Sequence, residues 1–161
     1  MAAAWRHRGS AEDARRAPYA RYVQGRMIVL SAWTTDVVFA ATAIPAAVGV
    51  SSFDTPAVVA ALVLFGIGLV VWTWAFGLAV LRSARGDDIV VASLYLTAGD
   101  APRPIRLQLF GALGVCLLIT VATAASDPFG VLVPMLTLGF VGLWAARHGT
   151  FPPRPTPAAR A

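Results

Sequence analysis

Residues 56–81 of the chain read PAVVAALVLFGIGLVVWTWAFGLAVL, which is 26 consecutive positions without one charged side chain. An α-helix needs about twenty apolar residues to cross the hydrocarbon core of a bilayer, so this stretch is long enough to span it. It opens with Pro56, which suits a first helical turn because the N–H that proline lacks has no helical partner there. The stretch therefore predicts a transmembrane helix.

Three further apolar runs accompany it, at residues 27–50, 107–125 and 130–146. Short polar turns join the runs in pairs, so we expect two antiparallel transmembrane hairpins. The sequence thus predicts an all-α integral membrane four-helix bundle at residues 27–146, which includes a connecting loop at 82–106. In this interpretation residues 1–26 form a basic N-terminal arm, and residues 147–161 form a proline- and arginine-rich tail that we expect to be extended and mobile.

The positive charges lie outside the spans and outside the two short turns. All thirteen basic residues are arginines, and they occur only in the arm, the loop and the tail. Because arginine and lysine concentrate on the cytoplasmic side of membrane proteins, this pattern predicts a plasma-membrane protein with both termini in the cytoplasm. We expect the arginine-rich face to attract anionic lipid headgroups. The absence of lysine beside abundant alanine, arginine, glycine and proline is typical of GC-rich bacterial genomes.

Composition and motifs exclude or disfavour most other classes. Apolar residues make up 58% of the chain and charged residues 13%, against roughly half and a quarter in soluble domains. The net charge of +5 is explained by membrane orientation, and no nucleic-acid-binding motif is present. No phosphate loop, nucleophile elbow or metal-ligand spacing occurs. We therefore expect no enzyme activity, cofactor, metal or nucleic-acid partner.

Asp36 is the one acidic or basic residue within a predicted span. It lies nine residues after Met27, which is about 13 Å along a helix. A carboxylate at the centre of a bilayer costs about 2.5–3.5 kcal/mol, so we expect Asp36 to face the bundle interior. The same depth on the other three helices gives a candidate polar layer, whose members are Asp36, Trp72, Thr73, Trp74, Cys116 and Thr137.

Two interpretations of this layer stay open. In the first, Asp36 is a structural anchor that accepts hydrogen bonds from hydroxyl or indole groups of a neighbouring helix or of a partner subunit. In the second, Asp36 binds a proton or a cation, and Trp72 or Trp74 forms an aromatic wall for an organic cation.

The layout of four spans with one acid in the first resembles the small multidrug resistance transporters, and the resemblance implies transport that depends on Asp36. The chain departs from that family in carrying aspartate where glutamate is typical, and in its 26-residue arm and long middle loop. The near-empty catalytic inventory favours an accessory, scaffold or assembly component of a larger membrane complex, or a homo-oligomer. A small proton- or cation-coupled transporter is the alternative.

The middle loop contains an apolar segment, IVVASLYL, at residues 89–96. Eight residues are too few to span a bilayer, so we expect a short helix at the membrane interface. Asp87 or Asp88 could cap its N-terminus, and Gly99 follows its end.

Overall fold

The computed structural model describes the backbone of residues 2–154 and the side chains from residue 25 to residue 154. Five α-helices follow one another: α1 (Ala2–Ala47), α2 (Asp54–Ala84), α3 (Val91–Leu96), α4 (Arg103–Thr123) and α5 (Pro134–His148). Short 3₁₀ turns at Ser51–Phe53 and Pro128–Leu132 precede α2 and α5. The predicted all-α fold is confirmed. The side chains of residues 1–24 and all of residues 155–161, parts of the predicted arm and tail, lie outside the described residues.

Four helical segments are long and apolar enough to cross a membrane: Gly25–Ala47, Ser51–Ala84, Arg103–Thr123 and Pro128–His148. Each contains most of one predicted run, and together they define a multi-pass membrane protein. The two 3₁₀ turns lie at one end of the bundle, which we call the turn end. The loop between α2 and α4 lies at the other end, which we call the loop end.

The fourth span is the central element of the bundle, since 56% of its most apolar window is buried, against 22% for the second span. The contact between α2 and α5 is the most extensive in the fold. Glycines bring these helices together: a β-carbon at Gly68 would lie 3.0 Å from the backbone of Leu136, and one at Gly139 would lie 3.3 Å from Val71. Such close approach of small residues is how helices associate where lipid removes the hydrophobic driving force.

The middle loop contains a short helix, α3, as predicted, and its location at the membrane interface stays a prediction. Leu94 and Tyr95 are buried against α2 and α5, while Val91 and Leu96 are 56% and 72% exposed. The predicted aspartate cap is wrong, because Val90 is the N-cap residue and no side chain caps the helix. Asp87 instead forms an ion pair with Arg82, at 2.7 Å from its Nε.

Arg82 fastens the loop end of the bundle. Besides the ion pair, its Nη1 donates to the carbonyl oxygens of Ala146 (3.1 Å) and Gly149 (3.0 Å). Ala146 lies in the last turn of α5, and Gly149 directly follows the helix. Its guanidinium group also lies 5.1 Å from the centre of the Phe151 ring. A cation at this position complements the negative end of α5 and satisfies carbonyls that a helix end leaves free.

The first residues of the tail are held against the middle loop. The Asp88 N–H donates to the Pro152 carbonyl (2.9 Å), and the Arg154 N–H donates to the Gly86 carbonyl (2.8 Å). The Arg154 guanidinium donates to the Ser83 hydroxyl at 2.9 Å. These bonds contradict the mobile tail that its prolines predict, as far as residue 154, because the loop offers backbone partners that the tail sequence cannot reveal.

Candidate functional site

Asp36 lies on the buried face of α1, as predicted. The buried stripe of this helix is formed by Val29, Ala32, Asp36, Phe39 and Ala43, at steps of three or four residues. Asp36 is only 2% exposed and points into the bundle. Since an ionisable group on the lipid-facing side would have no partner at all, the interior is where a helical span places it.

Two residues of the predicted layer meet Asp36 in the bundle interior. Cys116 of α4 and Thr137 of α5 lie beside its carboxyl group, and both are fully buried. Both lie close enough to interact with the carboxyl group as hydrogen-bond donors, although no contact among the described residues gives either Asp36 oxygen or the Thr137 hydroxyl a hydrogen bond of full geometry. Three helices thus enclose a polar centre whose groups face one another.

The three predicted residues of α2 lie elsewhere. Trp74 is 62% exposed on the outer surface of the bundle, and Thr73 is also exposed, with its hydroxyl donating to the Leu69 carbonyl of its own helix at 2.8 Å. Trp72 is half-buried and stacks on Tyr95 of α3, with ring centres 6.0 Å apart. The buried face of α2 passes through Gly68 and Ala75 instead.

A second buried carboxyl group, that of Asp127, lies at the turn end. Asp127 is 1% exposed, and neither of its oxygens has a hydrogen-bond partner among the described residues. Its side chain does not cap the following 3₁₀ turn, although its backbone N–H donates to the Thr123 carbonyl at 2.8 Å. Sequence reasoning missed this residue because Ser-Asp-Pro is an ordinary turn sequence. Asp54, in the other short turn, is exposed.

Three polar side chains of α4 lie between the levels of the two carboxyl groups along the bundle. Cys116, Thr120 and Thr123 are buried on one face of α4, four and three residues apart, so the row is about 10 Å long. The Thr120 hydroxyl donates to the Gly130 carbonyl at 3.4 Å, next to the turn that carries Asp127. One thiol and two hydroxyls therefore lie on this face of α4, between the level of Asp36 and the turn that carries Asp127.

Phe39 of α1 lies near Asp127. Its ring is fully buried one helical turn from Asp36. A β-carbon at Gly130 would lie 3.0 Å from the tip of this ring and 3.3 Å from an Asp127 carboxyl oxygen, so one point in the bundle contacts both groups. The Phe39 ring thus lies close to the carboxyl group at the turn end.

The interior of the bundle is apolar on the loop-end side of Asp36. Val29 of α1, Leu109 of α4 and Val141 with Trp144 of α5 pack together there as a buried apolar cluster. The Trp144 indole N–H is buried without a partner among the described residues, and it can donate but not accept a hydrogen bond. The polar row therefore approaches Asp36 from the turn end.

No group of three histidine, cysteine, aspartate or glutamate side chains that could hold a metal ion occurs within the described residues. Comparison of the chain with protein-family models, curated proteins and solved structures finds no match.

Proposed function

We propose that this protein binds and releases protons at Asp36 within the membrane, and that Asp127 is a second proton-binding group on the route from the turn end. The observation that carries the proposal is the burial of Asp36 inside a span, without a well-formed hydrogen bond among the described residues. An ionisable residue inside a span is expensive, and such residues commonly mark proton or ion pathways.

The geometry offers little support for a purely structural anchor. An anchor needs a well-formed hydrogen bond, and the contacts of Cys116 and Thr137 with the carboxyl group fall short of that geometry. A partner subunit cannot reach it either, because only 2% of Asp36 is exposed in the single chain. Release of the proton leaves a charged carboxylate, and the Cys116 thiol and Thr137 hydroxyl beside it are groups that can donate to it in that state.

A proton is also a better candidate than an organic cation. The aromatic wall that a cation site requires would have to come from Trp72 or Trp74. The Trp72 ring instead stacks on Tyr95 of α3, and the Trp74 ring is exposed on the outer surface of the bundle. The Thr120 and Thr123 hydroxyls donate to the carbonyls of Gly130 and Ile119, and each can also accept a hydrogen bond, which proton transfer requires. The proposed orientation places the loop end, with its arginines, in the cytoplasm of a plasma-membrane protein, so Asp127 faces the opposite side.

The test is proton flux into liposomes that contain the purified protein and an enclosed pH-sensitive dye, driven by a potassium diffusion potential. Wild-type protein is expected to admit protons, whereas Asp36→Asn and Asp127→Asn reduce the flux at least tenfold. Asp54→Asn is the matched control, because Asp54 lies in the other short turn but is exposed. Flux that is equal in wild type and Asp36→Asn, or absent from both, contradicts the proposal.

An accessory role in a larger membrane complex is the second candidate. It is favoured by α1, whose 46 residues extend for about 69 Å, whereas the hydrocarbon core is about 30 Å thick. The part of α1 that precedes Gly25 is therefore available to contact another protein. If this role is correct, deletion of residues 2–22 should release the protein from a complex that the full chain forms in mild detergent.

A further inference from the structure

A groove opens between α1 and α4 at the loop end of the bundle. Its volume is about 500 Å³, and its lining residues are Arg26, Val29, Leu30, Trp33, Ile105 and Gln108. Arg26 is the second residue of the first span, and Ile105 and Gln108 lie in the first two turns of α4. The groove is therefore at the boundary between the membrane core and the headgroup region, separate from Asp36 and Asp127.

The two parts of the groove differ in chemistry. The Arg26 guanidinium and the Gln108 amide are donors that suit a phosphate group, and arginine binds phosphate with several hydrogen bonds at once. Leu30 and Trp33 are 47% and 37% exposed, and the next turn continues outward with Val37 at 66%. The donor groups of Arg26 and Gln108 are thus followed directly by an apolar surface that faces the lipid.

The start of α4 adds to the positive potential of this region. Pro102 is the N-cap residue, and no side chain caps the helix. The positive end of the helix dipole therefore remains available near Ile105. Arg103 and Arg106 are exposed on the same turns. An anion in the groove would be attracted by these groups as well as by Arg26.

We infer that this groove binds one anionic phospholipid from the leaflet at the loop end. Its phosphate contacts Arg26 and Gln108, and an acyl chain lies along Leu30 and Trp33. A lipid explains both parts of the groove, whereas a soluble anion would use only the donors. The site does not depend on proton binding at Asp36.

The test is thermal unfolding in a neutral detergent with added phosphatidylglycerol or phosphatidylcholine, together with native mass spectrometry of the bound lipid. We expect phosphatidylglycerol to stabilise the wild-type protein and to remain bound to it. Arg26→Gln should weaken this binding by about tenfold or more, because it removes a charge-assisted contact. Arg26→Lys should retain part of the binding.

Arg147→Gln is the matched control, since Arg147 is an exposed arginine at the same end of the bundle that does not line the groove. Equal loss of binding in Arg26→Gln and Arg147→Gln would show general charge attraction and overturn the inference. Equal stabilisation by inorganic phosphate would show a soluble-anion site and would also overturn it. If Arg26→Gln does not fold, Gln108→Leu provides the same comparison, and its unchanged affinity would count against the site.

Discussion

The contacts of Arg82 give a prediction whose size follows from the structure. Arg82→Gln removes two hydrogen bonds to the carbonyl oxygens of Ala146 and Gly149, the ion pair with Asp87, and the contact with the Phe151 ring. A bond from a charged donor contributes about 1.5–3 kcal/mol, an exposed ion pair about 0.2–1 kcal/mol and a cation–π contact about 0.5–1 kcal/mol.

These contributions are not additive, because a single Arg82 side chain makes all of these contacts. Solvent also weakens the ion pair, since the Arg82 and Asp87 side chains are 27% and 32% exposed. We therefore expect Arg82→Gln to lower the free energy of unfolding by about 2–4 kcal/mol. Asp87→Asn removes only the ion pair and should cost less than about 1 kcal/mol. The measurement is unfolding in mild detergent, combined with hydrogen exchange of residues 149–154, which should lose protection in Arg82→Gln.

Arg85→Gln is the control, since Arg85 is exposed one turn away and its replacement should change stability by no more than about 0.5 kcal/mol. If Arg82→Gln unfolds like Arg85→Gln and exchange of residues 149–154 is unchanged, Arg82 does not fasten the tail and the reasoning is refuted.

Two further predictions concern packing. Tyr95→Phe should leave stability unchanged or raise it by up to about 2 kcal/mol, because the buried hydroxyl has no partner among the described residues. Burial raises the pKa of Tyr95, so the unfolded chain loses the hydroxyl proton at a lower pH than the folded protein does. The free energy of unfolding should therefore fall as pH rises above about 10. Melting curves of Tyr95→Phe should lack this effect. Gly68→Ala should cost about 1–3 kcal/mol in the same assay, because its β-carbon would press on the backbone of Leu136. Gly66→Ala should be neutral or stabilising, since nothing lies within 4 Å of its β-carbon, and equal effects of the two alanines would contradict the close contact of α2 and α5.

The spans and the inward direction of Asp36 could be predicted because both depend on local sequence. The length of a charge-free run is a property of that run alone, and a buried acid must avoid lipid whichever helix lies opposite. The layer around Asp36 was predicted only in part. Equal depth placed Thr137 and Cys116 correctly, whereas Thr73 shows that depth does not determine which face of a helix is buried.

The second acid and the fastened tail depend on contacts between distant parts of the chain. Asp54 and Asp127 occupy similar turns, but only Asp127 is buried. At Gly130, the turn after α4 packs closely against Phe39 of α1. Likewise, nothing in the sequence around Arg154 reveals that Gly86 and Ser83 provide its partners.

The most direct test of proton binding at Asp36 is infrared spectroscopy of the reconstituted protein with isotope-labelled aspartate. The account predicts a carboxyl C=O band that shifts in D₂O and that changes reversibly with pH. This band should be missing from Asp36→Asn and present in Asp54→Asn. An Asp36 band that neither exchanges its proton with D₂O nor changes with pH would show a permanently neutral structural group and would contradict the account.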